Sequence, residues 1–558
     1  MFNFNLKPSL IKSMKGYTKE TFAADLMAGV IVGIVALPLA IAFGIASGVS
    51  PEVGLVTAII GGFLVAAFGG CSVQIGGPTG AFIVIVYGII QQFGIEGLMV
   101  ATLLAGILLL VMGLLKLGTV IKFIPYPIIV GFTSGIAVTI FTTQIKDLFG
   151  LTTEALPGEF IGKWVVYASS FHTFTPIALI FGVVTIAIIS LTPKVSKKIP
   201  GSLVAIIVMT VVSYILKNHF GVAGLETIGD RFTISASLPA PRMLNVDFNM
   251  IQELLPAALT IALLGAIESL LSATVADGVT GERHDSNMEL VAQGAANIVV
   301  PFFGGIPVTG AIARTMTNIN NGGRTPISGI IHAVVLLLIL LFLGPLTAHI
   351  PMACLAGVLV VVSYNMSEWR TFKNLLKGSK SDISVLVATF LLTVLFDLTI
   401  AIIIGLLMAM ALFMRRIAEV TKVSVSRSTL DLSSEGELTH SDDRLDLSDE
   451  IEVYHIDGPF FFGVASKFDS VMQNLAELPK VRIIRMRRVP FMDSTGVHNL
   501  TSLVKSSQES NIKIILSGVN PDVRAMLNRA GFEALIGADA ICDNIEQAIA
   551  RANEFIAK

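Results

Sequence analysis

The chain has 558 residues, 53% of them hydrophobic and only 14% charged, with a net charge of −2 and a mean hydropathy of +0.79. Such a composition excludes an ordinary soluble enzyme and indicates a membrane protein, and the absence of a basic excess argues against a nucleic-acid partner. The three cysteines, Cys71, Cys354 and Cys542, are too scattered for a disulfide framework or a metal cluster. No catalytic triad, Walker loop or metal-ligand spacing stands out, so neither an enzyme nor a cofactor is expected.

Residues 1–24 form a polar N-terminal segment carrying Lys7, Lys12, Lys15 and Lys19, without the apolar core and cleavage site of a signal peptide. Apolar runs then fill 25–420, the expected transmembrane domain. A hydrocarbon core of ~30 Å asks for about 20 apolar residues per straight helix, and shorter ones are tolerated where protein shields the backbone. On that rule fourteen segments are expected, at 25–47, 53–70, 79–93, 98–116, 125–145, 173–192, 200–216, 253–275, 289–303, 309–320, 326–344, 353–366, 384–396 and 398–416. The polar, acidic stretch 421–449 reads as a linker. Residues 450–558 read as a small α/β domain, with strands in 450–463, 480–489 and 512–518, a helix over 494–509 and two more helices after it.

Lysine and arginine concentrate in cytoplasmic loops. With the N-terminus inside, fourteen crossings place Lys116, Lys122, Lys194, Lys197, Lys198, Arg324, Arg370, Lys373, Lys377, Lys380, Arg415 and Arg416 on the same side. The outer loops then carry Asp147, Glu154, Glu226 and Asp230. Both termini are expected in the cytoplasm.

Two stretches nearly repeat each other: GGPTGA at 76–81 and GGIPVTGA at 304–311. With the fourteen segments split into two groups of seven, each stretch opens the third helix of its group. An odd group length inverts the second half, which is the pattern of an inverted repeat whose broken helices meet near the membrane midplane. Each short helix would then begin inside the protein with free N–H groups and a positive dipole end, an arrangement suited to an anion.

These stretches, with DLMAGVIVGIVALPLAIAFG (25–44), ALLGAIESLLSATVAD (262–277), FFGGIPVTGAIARTMTNI (302–319) and DSTGVHNL (493–500), resemble the SulP family of anion transporters. The resemblance covers nearly the whole chain. It implies a polytopic α-helical membrane protein with a 7+7 inverted repeat, in which a core domain moves against a gate domain. It also implies a cytoplasmic α/β STAS domain, a homodimer and a place in the bacterial inner membrane. The implied activity is alternating-access transport of a small inorganic or organic anion, with sulfate the first choice and bicarbonate or a C4-dicarboxylate the others.

The expected anion site consists of Thr79, Gly80 and Ala81 at one helix start and Thr309, Gly310 and Ala311 at the other. Arg314, five residues past Thr309, would add a fixed positive charge, and the family resemblance places an arginine there behind the substrate. Pro38 is expected to break the first helix, and Phe43 matches an aromatic that lines the family's site. Glu268 lies in the middle of the eighth segment, where a carboxyl is costly and usually functional. Leu264 and Ser272 share its helix face, and Glu268 with Ser272 would hold the coupling ion. A proton is favoured; family members with Asp at this position use sodium, so sodium stays open. Leu39 stands where some relatives carry Glu or Gln, which shifts the coupling role onto Glu268. The rival reading is a static Arg314–Glu268 pair. Asp397 is expected to cap a helix or turn, with no part in transport.

In the C-terminal domain, Thr495 of DSTG matches the hydroxyl that is phosphorylated in related regulatory domains, against the plainer reading of a helix N-cap. Docking of a regulatory protein such as acyl carrier protein, as in one relative, is a further implication. A nucleobase permease, a membrane sensor and an uncoupled anion channel are the rival functions.

Overall fold

Apolar runs that leave water must satisfy their backbone internally, and here they do so as helices. The computed structural model describes residues 7–557 apart from 120–123, 154–155, 196–199, 222–223, 234–236, 245–246, 397, 427–428, 432–443 and 465–478. Lys122, Glu154, Lys197, Lys198 and Asp397 lie outside the described residues. The chain divides into two compact units, Met1–Ala409 and Met410–Lys558.

Ten helices among the described residues are long and apolar enough to cross a membrane. The first, α1 (Lys19–Ala46), starts at Thr18, whose hydroxyl accepts from the Thr21 N–H at 3.2 Å. Pro38 lies inside α1 without ending it, which corrects the expected break. A proline in a membrane helix frees one carbonyl, and packed neighbours and small local adjustments absorb that loss. Next come α2 (Pro51–Phe68), the two-residue strand β1 (Gly76–Gly77) and α3 (Ile83–Leu114). The expected third and fourth segments are joined in α3, which bends at Gly94 where φ is 69° and ψ is −172°. Glycine reaches that backbone state without a Cβ penalty.

The first half continues with α4 (Tyr126–Phe149), α5 (Pro176–Val195) and α6 (Gly201–His219). Apolar side chains such as Ile180, Val183 and Val211 are exposed on α5 and α6, as lipid-facing helices require. A short helix, Phe160–Ser170, lies before α5 where only a loop was expected.

The second half runs through α7 (Phe248–Thr280), α8 (Ser286–Val299), β2 (Thr309–Gly310), α9 (Ile312–Asn320), α10 (Pro326–Thr347), α11 (Met352–Met366), α12 (Lys380–Leu395) and α13 (Leu398–Val420). The helices α8, α9 and α12, with 14, 9 and 16 residues, are too short to count as full spans, whereas α11 counts together with the helical turns that follow it, as the 24-residue span Met352–Leu375. Together with the double-length α3 they account for the four expected segments missing from the ten long helices.

Small residues bring helices close. A Cβ on Gly29 of α1 would lie 2.5 Å from the Ser328 carbonyl of α10, so only glycine permits this approach. Buried Asp25 on α1 accepts from the N–H groups of Arg324 and Thr325 at 2.8 and 3.2 Å, satisfying donors at the start of α10. Elsewhere α3 packs along α7 and α8, and α4 along α11 and α12.

The second unit holds a five-stranded sheet of β3 (Lys422–Ser426), β4 (Ile451–Asp457), β5 (Val481–Arg485), β6 (Lys513–Ser517) and β7 (Ile541–Cys542), ordered as in the chain. β3 pairs antiparallel with β4, and the other pairs are parallel. The stretch expected as a linker therefore contributes an edge strand, because Val423 and Val425 within it find β4 as a partner. Val453, Ile483 and Ile515 stand side by side across the centre and are fully buried, the pattern of a parallel sheet covered on both faces. The helices are α14 (Ser494–Glu509), α15 (Pro521–Arg529) and α16 (Ile545–Ile556).

Candidate functional site

The two near-repeated stretches meet. β1 pairs antiparallel with β2, Gly76 opposite Gly310 and Gly77 opposite Thr309. A further bond from the Ala311 N–H to the Ile75 carbonyl, at 2.9 Å, extends the contact. Two chain breaks that would each expose polar backbone inside an apolar domain thus satisfy one another.

Beyond β1 the chain turns helical at Gly80, and beyond β2 at Ile312. Neither start has a side-chain cap. Threonine would ordinarily serve, but both threonine hydroxyls are committed elsewhere. Thr79 Oγ1 donates to Glu268 Oε2 at 2.9 Å, and Thr309 Oγ1 donates to the Gly265 carbonyl at 2.9 Å. Both bonds reach α7, and they leave the first-turn N–H groups of two helices free for a ligand.

These helix starts face a cavity of about 350 Å³ between α1, α4, α7, α9 and α11. Of the residues expected from sequence, Phe43, Thr79, Gly80, Ala81, Glu268, Ala311 and Arg314 line it. Thr309 and Gly310 do not: they are buried in the β1–β2 pairing behind it. Ser272 also stays outside the lining, since its hydroxyl donates to Thr315 Oγ1 at 3.2 Å rather than joining Glu268.

Arg314 is 2% exposed. Its guanidinium donates to the Pro78 carbonyl and, at 3.5 Å, to that of Gly76. Among the described residues no direct ion pair joins it to Glu268, although both line the same cavity. The guanidinium is held by neutral carbonyls at the edge of the cavity, with the carboxyl of Glu268 on the same cavity. Gly77 is required here: its φ is +152°, and a Cβ would collide with Arg314 Nη1.

Several contributors escaped the sequence reading. Glu289 on α8 is fully buried and accepts from Gly70 N, Cys71 N, Gln74 Nε2, Ser269 Oγ and Gln293 Nε2 at 2.9 to 3.2 Å. It ties the segment before β1 to α7 and α8. The rule that singled out Glu268, a carboxyl inside an apolar segment, applies equally to it; it stands at the first position of the expected ninth segment, 289–303. Thr315 of α9 accepts from the Ile75 N–H at 3.1 Å and fixes the entry to β1. Asn365 and Glu368 line the cavity from the end of α11, and Glu368 has a positive φ of 41°.

In the second unit Thr495 is half-buried in the first turn of α14. The N-cap is Asp493, whose side chain accepts from Gly496 N at 2.7 Å, so Thr495 does not cap the helix.

Residues 22–389 match the profile of the sulfate permease family, and residues 444–548 that of the STAS domain. The chain is 41% identical over 535 residues, 96% of its own length and 98% of the relative's, to YvdB of Bacillus subtilis (strain 168), a protein provisionally named a sulfate transporter. It is 31% identical to the bicarbonate transporter BicA of a Picosynechococcus species, over 95% of this chain and 94% of that one. The fold matches that of the murine solute carrier 26 family member A9 anion transporter, with a TM-score of 0.88 at 18% identity, covering 99% of this chain and 95% of that one.

Proposed function

The chain belongs to the sulfate permease family of anion transporters and ends in a STAS domain, and we propose that it is a proton-coupled, alternating-access transporter of an oxyanion, sulfate first. The observation that carries the proposal is the meeting of two uncapped helix starts on one cavity, with Arg314 behind them and Glu268 hydrogen-bonded to Thr79. Backbone N–H groups and a guanidinium attract oxyanion charge without offering a proton. Glu268 is the titratable group in contact with one of those helix starts, so its protonation is linked to the geometry of the anion site.

The 7+7 inverted repeat, with core and gate halves, a homodimeric state, an inner-membrane location with both termini cytoplasmic and regulation of the STAS domain through a docked protein or Thr495 belong to the same reading. The near-repetition of GGPTGA and GGIPVTGA and the distribution of Lys and Arg support the first and the orientation. Bicarbonate is the second reading for the substrate, favoured by the 31% identity to a bicarbonate transporter.

The test is uptake of labelled sulfate, bicarbonate and succinate into proteoliposomes, with and without an inward proton gradient, for the wild type and Glu268→Gln. Accumulation of sulfate that needs the gradient, and loses that need in Glu268→Gln, is the expected result. Gradient-independent uptake by the wild type would remove Glu268 from the coupling role and favour sodium coupling, exchange or a channel.

A further inference from the structure

The seam between α1, α4 and α11 holds a second cavity. The first is lined by Phe43 on α1, Ile129 to Thr133 on α4 and Val362 to Met366 on α11. The second, of about 150 Å³, is lined by Ala42 to Ala46, by Thr143 to Asp147 and by Met352 to Leu359 on the same three helices. About ten residues along α4 separate the two linings, or ~15 Å of helix. Along α4 the buried Ile136 and Ile140 fall between the two linings, and with Phe43, which lines the first cavity, they make up an apolar plug.

The second cavity is cationic. Lys146, Lys163 and Arg231 line it against one carboxylate, Asp147. Arg231 is neutralised, since it pairs with Asp147 at 2.6 Å and with Glu226 at 2.5 Å. Lys163 is not: it is only 6% exposed, and among the described residues its ammonium has no ion pair and no hydrogen bond. It lies over the Tyr87 ring at 5.0 Å. Burial holds this ammonium below the usual lysine range. A buried charge without a counter-ion is costly unless a partner arrives, and a cation–π contact recovers only part of that cost. A wider cavity of about 490 Å³, also lined by Lys146, Asp147 and Arg231, adjoins the second one.

We propose that Lys163, over Tyr87 and beside Lys146, forms an outer binding site for a small oxyanion on the path to the central cavity. It is a waiting site on the face that the proposed orientation puts outside, with the Phe43–Ile136–Ile140 plug between it and the inner site. The inference deepens the transport reading and rests on it for the direction of travel, but binding at the site does not depend on coupling.

Two measurements on the full-length protein in proteoliposomes test it. In the first, sulfate flux is measured from each side for the wild type, Lys163→Gln and Lys163→Arg. Lys163→Gln should raise the KM for external sulfate about tenfold, the order of a lost charge-assisted contact, with the internal KM and the maximal rate little changed and Lys163→Arg close to wild type. Equal shifts on both sides, or none, would overturn the site. In the second, Ala46→Cys in a background without the three native cysteines is labelled from outside with an impermeant thiol reagent. Sulfate should slow labelling severalfold when Lys163 is present and not in Lys163→Gln. No labelling, or labelling indifferent to sulfate, counts against the site. The labelling needs no turnover, so uptake found to be indifferent to protons would defeat the coupling reading and leave this result standing. Proton-driven uptake without protection would do the reverse.

Discussion

Arg314→Met removes the guanidinium and keeps an unbranched apolar side chain of useful length. Arg314 stands three residues beyond Ala311, which lines the cavity, so an anion bound at the α9 start lies about one helical turn, roughly 6 Å, from the charge. At that distance, with an effective dielectric of ~20, each unit of anion charge gains about 3 kcal/mol, or roughly a hundredfold in affinity. Sulfate, with two charges, should therefore lose more than bicarbonate, with one. The KM values for both anions, measured as uptake into proteoliposomes and normalised to inserted protein, give the comparison directly. Arg314→Lys separates charge from shape: it keeps the Coulomb attraction but not the planar fork that holds both the Gly76 and Pro78 carbonyls. Its loss should be smaller than that of Arg314→Met and nearly equal for the two anions. A sulfate KM within twofold of wild type in Arg314→Met would refute the reasoning, because no other described cation lines the cavity.

Gly77→Ala should reproduce much of the Arg314→Met defect, since the new Cβ meets Arg314 Nη1; the double variant should add little to either single one, and full additivity in KM would mean the two positions act separately. Glu289→Gln replaces an acceptor of five donors by a group that itself donates. The expected loss is on the order of 3 kcal/mol, read as a lower melting temperature of the full-length protein in detergent; an unchanged melting curve would mean that this network does not hold the β1 entry in place.

Much of the architecture could be read along the chain, because the information was local. Hydropathy marked the helices, the change in composition after 420 marked the end of the apolar region, and the near-repeated GGPTGA and GGIPVTGA stretches marked where helices restart. Glu268 and Arg314 stood out as charges inside apolar segments and Phe43 through the family resemblance, and all three line the cavity. Pro38 misled because local helix propensity is weaker than packing in a membrane domain.

What the sequence by itself determined was therefore the set of elements and the residues costly enough in hydrocarbon to need a purpose. Only the tertiary structure decided their partners. Gly76 faces Gly310, Thr79 reaches Glu268, Ser272 turns to Thr315, and Arg314 is held by the carbonyls of Gly76 and Pro78, 238 and 236 positions away in sequence. Each of these bonds joins groups far apart along the chain, and a periodicity of 3.6 residues specifies a helix face without specifying which distant face covers it. The cavities arise from the same cause: they are the spaces left where α1, α4 and α11 pack, so their charge and volume exist only once those helices have met.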